Sequence, residues 1–467
     1  MTSETAAAVL AAAGLCSLLV AGHAGVRRLG ALAWVGGSAW LAAELLRSSL
    51  DRARAILSDH PLTGSVAIVA GVVAVVCAAG LVHRIPWAFA VACVLAAPAR
   101  IPIHFGAQEA RLLIPLYGVL AAGSLATLYA AVRGADPQPR LGVVGWALAA
   151  IVALSALSFI WAADQHQAAV YMLFFYLPFG FMAVRIAQLR PSAAGLRAAL
   201  LAQVGLALVF AAVAFWQEAT HHIFWNPGVE ASNDYRSFFR VNSLFWDASV
   251  YGRFMAVTLV LLAGVAIYHR LTPAIGVAMA VVFAGLYFTY SQSSYFALAA
   301  GAVALGAGVW PRRAVVAIVA AGAAALAAVL AVALSGSSAG RVSGGRTHLV
   351  ELGWRVVRHH PLVGAGLGGF ARAAVAGTAH PYRLKGAASH TTPVTVIAEL
   401  GPLGAAAYAW LLGALVRTGV RARRAPGLSR TLLAALVAIF ASSLFYDSFF
   451  EDPTMWILAA LLCGTAE

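Results

Sequence analysis

The sequence predicts an all-α, polytopic membrane protein, and two features of the chain carry that prediction. Of its 467 residues, 62% are hydrophobic and only 10% are charged, whereas a soluble domain carries roughly 25% charged residues. The shortage of charge extends along the whole chain, so a large soluble domain is excluded. Apolar runs near the length that crosses a bilayer, about 20 residues, follow one another from end to end. We expect a transmembrane helical bundle of roughly 12 to 15 spans.

The apolar runs divide the chain into four regions. Residues 1–144 are predicted to form N-terminal transmembrane helices, beginning with a first span rather than a cleaved signal peptide because no basic residue precedes the first apolar run. Residues 145–334 form core transmembrane helices with an outer loop at 218–250, and their last span is predicted at 314–334. Residues 335–393 form a long outer loop, and residues 394–467 form C-terminal transmembrane helices.

The distribution of charge predicts the orientation of the helices. The net charge of +14 could suggest nucleic acid, but such binding requires a basic face on a solvated domain, so nucleic acid is excluded as a partner. The break at 417–430 contains five arginines and no acid, which predicts a cytoplasmic location. Alternation of the spans then places both long loops outside, together with the acids Asp447, Glu451 and Asp452.

The four cysteines lie inside apolar segments without pairing or metal-ligand spacing.

The long loop 335–393 contains a helical pattern that begins at Arg346. Leu349, Leu352 and Val356 recur at helical spacing, and Pro361 ends the pattern. This predicts an amphipathic helix at the outer membrane interface, where Arg346 either binds substrate or anchors the helix to the interface. The glycines that follow, in PLVGAGLGGF, lack the strand that a nucleotide-binding loop requires, so a tight turn is predicted.

Two ionisable residues follow at the next span, and both are candidates for function. His390 lies at the mouth of the span, where a neutral imidazole can take a proton from a hydroxyl at physiological pH, although a histidine there is often only an interfacial anchor. Glu399 lies inside the span, where an ionisable group is a functional candidate, although it could also pair with an arginine.

The other outer loop carries arginines that contradict the positive-inside trend. Arg236, Arg240 and Arg253 are therefore candidates for binding an anionic group such as phosphate. His221 and His222 are adjacent, so they cannot bind one metal from a helix face, and we expect no metal site and no cofactor.

The order of these motifs resembles that of the O-antigen ligase and O-antigen polymerase family of bacterial membrane glycosyltransferases. The resemblance rests on GGRTHLVELGWRVVRHHPLVGAGLGGF followed by SHTTPVTVIAELGPLG, and on the earlier segments LSFIWAADQHQAA, RVNSLFWDASVYG and TYSQSSYFALAAG. It extends from Gly145 to the C-terminus. It implies a GT-C-like fold in the bacterial inner (plasma) membrane, with the active site on the extracytoplasmic face.

The resemblance also implies an activity. Members of this family transfer a glycan from an undecaprenyl diphosphate carrier to an acceptor hydroxyl, which we expect to be metal-independent and inverting here. The expected partners are that donor, a glycan or glycolipid acceptor and membrane lipid, and a chain-length regulator is a further candidate. By position, Arg346 matches the arginine that holds the diphosphate, and His390 matches the histidine that activates or orients the acceptor.

The sequence departs from the family pattern at two positions. Gln292 occupies the place after Thr-x-Ser where the family often has arginine, so the second phosphate contact is expected from Arg240, Arg341 or Arg253, in that order. Thr391 follows the histidine where asparagine is usual. Gln292, Glu399 and Tyr382, which lies in the polar stretch before His390, complete the candidate substrate-binding residues.

Two other classes of function remain open at this point. A transporter or flippase of polyprenyl-linked or anionic glycans would place its charges at mid-membrane on broken helices. Here the charges are concentrated in the outer loops, which favours an enzyme. A structural scaffold would leave the outer arginines and histidines without a role.

Overall fold

A computed structural model describes most of the chain. The described residues are 2–47, 61–105, 108–133, 138–189, 192–314, 316–317, 320, 346–376 and 389–466. Arg341 and Tyr382 lie outside these ranges. Most of the span predicted at 314–334 also lies outside them.

The described part of the chain is almost entirely helical, which confirms the predicted all-α polytopic bundle. Up to the first long loop its helices are α1 (Ser3–Val20), α2 (Ala24–Leu45), α3 (Pro61–Arg84), α4 (Pro86–Ala96), α5 (Ile114–Val132), α6 (Gly142–Leu157), α7 (Gln165–Tyr171), α8 (Leu177–Ala187) and α9 (Ala193–Thr220). They continue with α10 (Pro227–Asp234), α11 (Ala248–Tyr268), α12 (Pro273–Tyr287), α13 (Gln292–Gly306), α14 (Arg346–His359), α15 (Phe370–Val375), α16 (Thr392–Arg421), α17 (Pro426–Ser443) and α18 (Pro453–Ala466).

Within the described residues, eight helical segments are long and apolar enough to cross a membrane, and four shorter apolar helices accompany them. One of the eight combines α7 and α8 through a π-helical turn at Met172–Tyr176. The protein is therefore a multi-pass membrane protein, in agreement with the sequence.

A short antiparallel hairpin is the one addition to the all-α prediction among the described residues. Strands β1 (Ile101–Phe105) and β2 (Gln108–Leu112) pair with Ile101 opposite Leu112. The hairpin connects α4 to α5, and backbone groups on the facing edges of its two strands hydrogen-bond to each other.

Small residues allow the helices to approach closely, as is common in membrane bundles. A Cβ on Gly14 of α1 would lie 2.3 Å from the backbone nitrogen of Trp34 in α2. In the centre of the bundle α11 packs against α12, α13 and α17. A Cβ on Gly264 of α11 would lie 2.3 Å from the side chain of Thr431 in α17.

The helix ends separate into two groups, and this separation positions the site. At one end, Arg430 at the start of α17 donates to the carbonyl of Gly308 after α13. At the other end, the first turns of α11 and α16 meet the connection 444–452 between α17 and α18, through contacts such as the ion pair between Arg253 and Asp452. The predicted candidate residues in these connections therefore share one end of the bundle.

Candidate functional site

The amphipathic helix predicted at Arg346 is present as α14, which begins at that residue. Leu352 and Val356 are buried against Phe370 of α15 and Ala398 of α16. Arg358, on the opposite face, is exposed. The helical periodicity of the sequence thus identified the buried face correctly.

The glycine-rich segment after α14 forms the predicted turn, and it packs against a distant break in the bundle. Gly366 has φ +81°, and a Cβ there would lie 2.3 Å from the Cα of Ala162. The backbone nitrogen of Ala163 donates to the carbonyl of Ala365 at 2.8 Å. The glycines therefore serve close backbone packing between two segments that the family resemblance had marked separately.

Glu399 fixes this turn from the first part of α16. Its two carboxylate oxygens accept hydrogen bonds from the backbone nitrogens of Gly368, at 2.9 Å, and Phe370, at 3.2 Å. The second bond lies at the start of α15, where backbone N–H groups lack helical partners. The carboxylate is thus directed at the loop backbone, and its predicted contact with substrate stays a prediction.

His390 lies in the turn that leads into α16, with Ser389 and Thr391 on either side. The hydroxyl of Ser389 donates to the carbonyl of Thr391 at 2.7 Å, and the backbone nitrogen of Thr391 donates back to that hydroxyl at 3.1 Å. His390 itself has φ +56°, in the left-handed region that few residues other than glycine adopt. Its half-buried ring lies 6.3 Å from the ring of Tyr446, centroid to centroid.

Two carboxyl groups from the connection 444–452 lie beside this turn. Asp447 accepts a hydrogen bond from the hydroxyl of Thr395 in the first turn of α16. Burial raises the pKa of Asp447, while hydrogen bonds from Thr395 and Thr392 and the nearby charge of His390 oppose that rise. Burial and the charge of Asp447 raise the pKa of Glu451 to about 7. Histidine and carboxyl groups are therefore electrostatically coupled at the mouth of α16.

Arg253 is held by the same connection. Its guanidinium forms an ion pair of 3.0 Å with Asp452 and donates to the hydroxyl of Ser448. The side chain is only 4% exposed, so the pairing with Asp452 is needed to compensate a buried charge.

Arg240 reaches the turn where the family pattern expects an arginine. Its Nε donates to the carbonyl of Thr289 at 2.8 Å, and its Nη2 donates to the hydroxyl of Ser249 at 3.1 Å. Asn233 holds the Arg240 backbone through two further hydrogen bonds, each of 3.1 Å. Gln292, three residues beyond Thr289, is exposed at the start of α13. The guanidinium of Arg240 thus lies on the Thr-x-Ser turn that precedes Gln292.

The structure brings several of the predicted residues together at one end of the bundle. His390 and Arg253 meet through the connection 444–452, and Arg240 is linked to Arg253 through α11, since Ser249 lies one helical turn before Arg253. Arg346 is described only as the first residue of α14.

The sequence did not single out other residues that belong to this end of the bundle. These residues interact with one another through charges or hydrogen bonds, and they are Asp447, Glu451, Tyr446, Tyr171 and Arg100. The clustering of three acids in one outer break was the only signal, and pairing with α16 could not be read from it. Among the described residues, no group of three or more histidine, cysteine, aspartate or glutamate side chains could hold a metal ion.

Comparison with known proteins finds a family match for the part of the chain that contains several of the candidate residues. Residues 277–409 match the family model described as O-antigen ligase. The comparison with curated proteins gives no match for the chain. The matched segment contains the Thr-x-Ser turn, α14, the glycine-rich turn and His390, and it is shorter than the resemblance read from the sequence. This match supports an enzyme of the general membrane glycosyltransferase type. Residues 277–409 of this multi-pass membrane protein are therefore similar to the O-antigen ligase family.

Proposed function

We propose that this protein transfers a glycan from an undecaprenyl diphosphate carrier to an acceptor hydroxyl on the extracytoplasmic face of the bacterial inner membrane. The observation that carries the proposal is the position of Arg240. Its guanidinium lies on the Thr289 carbonyl, at the turn where the family pattern has its own arginine. With Gln292 at the position of the family arginine, Arg240 would supply a guanidinium to this turn.

The donor half of the reaction needs positive charge rather than a nucleophile. The leaving group is a diphosphate, and charge-assisted hydrogen bonds from arginine neutralise the charge that develops on it. Arg346, at the start of α14, and Arg240 are the proposed diphosphate contacts. Arg341 and Tyr382 remain proposed contacts from the same long loop. Arginines can supply this charge without a metal ion.

The acceptor half of the reaction needs a group that takes a proton. In the proposed step the acceptor oxygen attacks the anomeric carbon, and the bond from that carbon to the diphosphate oxygen breaks with its electron pair. His390 takes the hydroxyl proton, and the nearby Asp447 stabilises the imidazolium that forms. A single displacement of this kind inverts the anomeric configuration.

The position of His390 at the start of a span is suited to a lipid-linked donor. The carrier lipid stays in the bilayer, so the diphosphate must reach the protein at the membrane interface. His390 lies just before the start of α16, and Arg253 lies in the second turn of α11; both helices are long enough to cross a membrane. A soluble nucleotide sugar is not required.

Reconstitution of the purified protein with a lipid-linked glycan donor and candidate acceptors tests the proposal. Wild type should produce a glycan-modified acceptor, seen on a gel as one shifted band for a ligase or a ladder for a polymerase. His390→Ala and Arg240→Ala should each lower transfer by at least roughly 100-fold, the range found for general bases and oxyanion donors.

Matched controls separate chemistry from folding. His359→Ala and Arg358→Ala remove the same residue types from exposed positions on α14 and should retain transfer. Full transfer by both His390→Ala and Arg240→Ala would contradict the proposal. Movement of labelled donor across the bilayer, without any change to its glycan, would instead identify a transporter.

A further inference from the structure

A cavity lies beside the proposed site, and its walls come from outside residues 277–409. Arg100, Arg253 and Asp452 line it together with apolar side chains that include Phe245, Phe254 and Val257. The lining derives from the segment after α4, the loop before α11, α11 itself and the start of α18. Because Asp452 belongs to the connection 444–452 and Arg253 contacts that connection through Asp452 and Ser448, the cavity adjoins the proposed site directly.

The two arginines in this cavity differ in how their charges are compensated. Arg253 is paired with Asp452 at 3.0 Å and is buried. Arg100 is half-buried. Among the described residues, no carboxylate lies close enough to Arg100, 4.0 Å or less, to form an ion pair with it. The positive charge of Arg100 acts on Glu451 and Tyr446. It lowers the pKa of each of these two groups, whereas burial raises it. Arg100 therefore supplies positive charge towards the proposed site.

The apolar walls make that charge effective and indicate the shape of its ligand. A guanidinium beside low-polarity side chains attracts an anion more strongly than it would in water. Phe254 and Val257 of α11 continue from Arg253 into the membrane-length part of that helix. A ligand that fills the cavity would thus present an anionic group to Arg100 and an apolar chain to α11.

We propose that this cavity binds the phosphate-bearing end of an isoprenoid lipid, with Arg100 as a direct anion contact. This inference rests on the proposed function, since it adds an N-terminal arginine to the donor subsite of that reaction. Arg100 lies outside residues 277–409, so it makes the N-terminal helices part of donor binding. An anionic phospholipid headgroup offers similar phosphate chemistry, and the experiment below distinguishes the two.

Binding of farnesyl diphosphate to the full-length protein in nanodiscs tests this inference. In neutral phosphatidylcholine nanodiscs, Arg100→Ala should raise the Kd at least tenfold, a loss of about 1.4 kcal/mol. Arg100→Gln should behave similarly, because it keeps a polar side chain and removes the charge. Arg100→Lys should recover part of the affinity, since a point charge replaces a bidentate donor. Arg372→Ala, which changes an exposed arginine on α15, is the matched control and should bind as wild type does.

Phosphatidylglycerol in the nanodisc provides the second arm. If the cavity selects an isoprenoid diphosphate, adding phosphatidylglycerol should change the wild-type Kd less than twofold. Complete loss of farnesyl diphosphate binding in phosphatidylglycerol nanodiscs would assign the cavity to bulk lipid and overturn the inference. An unchanged Kd in both Arg100→Ala and Arg100→Gln would also overturn it.

Failure of this inference is distinguishable from failure of the proposed function. The transfer assay on wild type decides the function, whereas the Kd of the Arg100 variants decides the role of Arg100. Asp452→Asn gives an independent measurement that leaves Arg100 in place. It removes the partner of the buried Arg253, so farnesyl diphosphate should raise its melting temperature by more than it raises that of wild type. An equal or smaller rise would count against the cavity as an anion site.

Discussion

At the scale of single residues, His390 combines a left-handed backbone with a carboxyl neighbour. Its φ of +56° is held by the hydrogen bonds of Ser389 and Thr391 around it. Backbone strain of this kind costs on the order of 1–3 kcal/mol and persists where the surrounding structure fixes it, often at functional sites. The imidazole is thereby presented next to Asp447 rather than packed into the helix.

Asp447→Asn tests the electrostatic role of that neighbour. The amide is similar in shape and can still accept a hydrogen bond from Thr395, but it cannot stabilise an imidazolium. We expect kcat for glycan transfer to fall roughly 10- to 100-fold, with little change in the KM for the donor. Kinetics over a range of pH provide the measurement. An unchanged kcat across that range would separate Asp447 from the chemistry.

Glu451 makes the stability of the protein depend on pH. Its pKa is raised to about 7 by burial and by Asp447, whereas an unperturbed glutamate titrates near pH 4.3. Between these two values the folded protein binds more protons than the unfolded chain, so the free energy of unfolding falls as pH rises from about 4.3 to 7. The contribution that protonated Glu451 makes to the free energy of unfolding is therefore fully present below about pH 4.3 and is lost above about pH 7.

Glu451→Gln should remove this dependence. At pH 8 the variant should be more stable than wild type by on the order of 2 kcal/mol, because it avoids placing a charge beside Asp447. At pH 4 the difference should be small. Thermal unfolding in detergent at both pH values is the measurement, with Glu230→Gln at an exposed carboxylate as the control. A larger stabilisation at pH 4 than at pH 8 would contradict the assignment.

The sequence identified some of these residues and could not identify others. His390 was a candidate because it lies at the mouth of a span, and Arg240 because an outer arginine contradicts the positive-inside trend. Arg253 was found for the same reason, but its pairing with Asp452 depends on how α11 and α18 pack. Contacts between distant segments leave no periodic signal, which is why the positions of Asp447 and Arg100 beside the proposed site could not be predicted from the sequence.

At the scale of elements, the glycine-rich turn joins three segments that lie far apart in sequence. It packs its backbone on Ala162 and Ala163 and is fixed by Glu399 of α16. A shift of this turn would move α16, and with it His390. The turn therefore connects the stability of the loop to the geometry of the proposed site.

Gly366→Ala tests that connection. The new Cβ would lie 2.3 Å from the Cα of Ala162, at a φ of +81°, so we expect destabilisation of roughly 2–4 kcal/mol and a large loss of transfer. Gly413→Ala in α16 is the matched control, because its Cβ would meet no atom within 4 Å. The control should be neutral or slightly stabilising. Equal melting temperatures for the two variants would refute the packing argument.

The predictability of the elements follows from their periodicity. Leu352 and Val356 repeat at helical spacing, so α14 and its buried face could be read from the sequence. The turn after α14 was also predicted from its glycines. Its packing partner was not, because nothing in PLVGAGLGGF specifies the break at Ala162. The hairpin of β1 and β2 was missed because the segment is short and flanked by apolar helices.

At the scale of the whole molecule, the separation of helix ends matches the pattern of charges. Arg430 lies with Gly308 at one end, whereas Arg253 and Asp452 lie at the other. The positive-inside rule assigns the first end, with its arginine-rich break 417–430, to the cytoplasm. Composition and span length were sufficient to predict the multi-pass helical bundle, since they depend on the bilayer and not on specific contacts. The orientation, which was argued from the distribution of charge, stays a prediction.

Site-directed labelling tests the assigned orientation. In a variant whose four native cysteines are replaced, Arg236→Cys should react with a membrane-impermeant maleimide in intact spheroplasts. Arg423→Cys should react only after the membrane is permeabilised. Both positions are exposed, so accessibility within the protein does not limit the reaction. The reverse pattern would place the proposed site on the cytoplasmic side and exclude an extracytoplasmic reaction.

The most direct test of the account is release of undecaprenyl diphosphate from a lipid-linked glycan donor in proteoliposomes. Chemistry at His390 predicts that wild type releases the carrier in amounts equal to the glycan gained by the acceptor. It also predicts that His390→Ala releases at least roughly 100-fold less while its melting temperature stays near that of wild type. Equal release by wild type and His390→Ala, or transport of intact donor without release, would contradict the account.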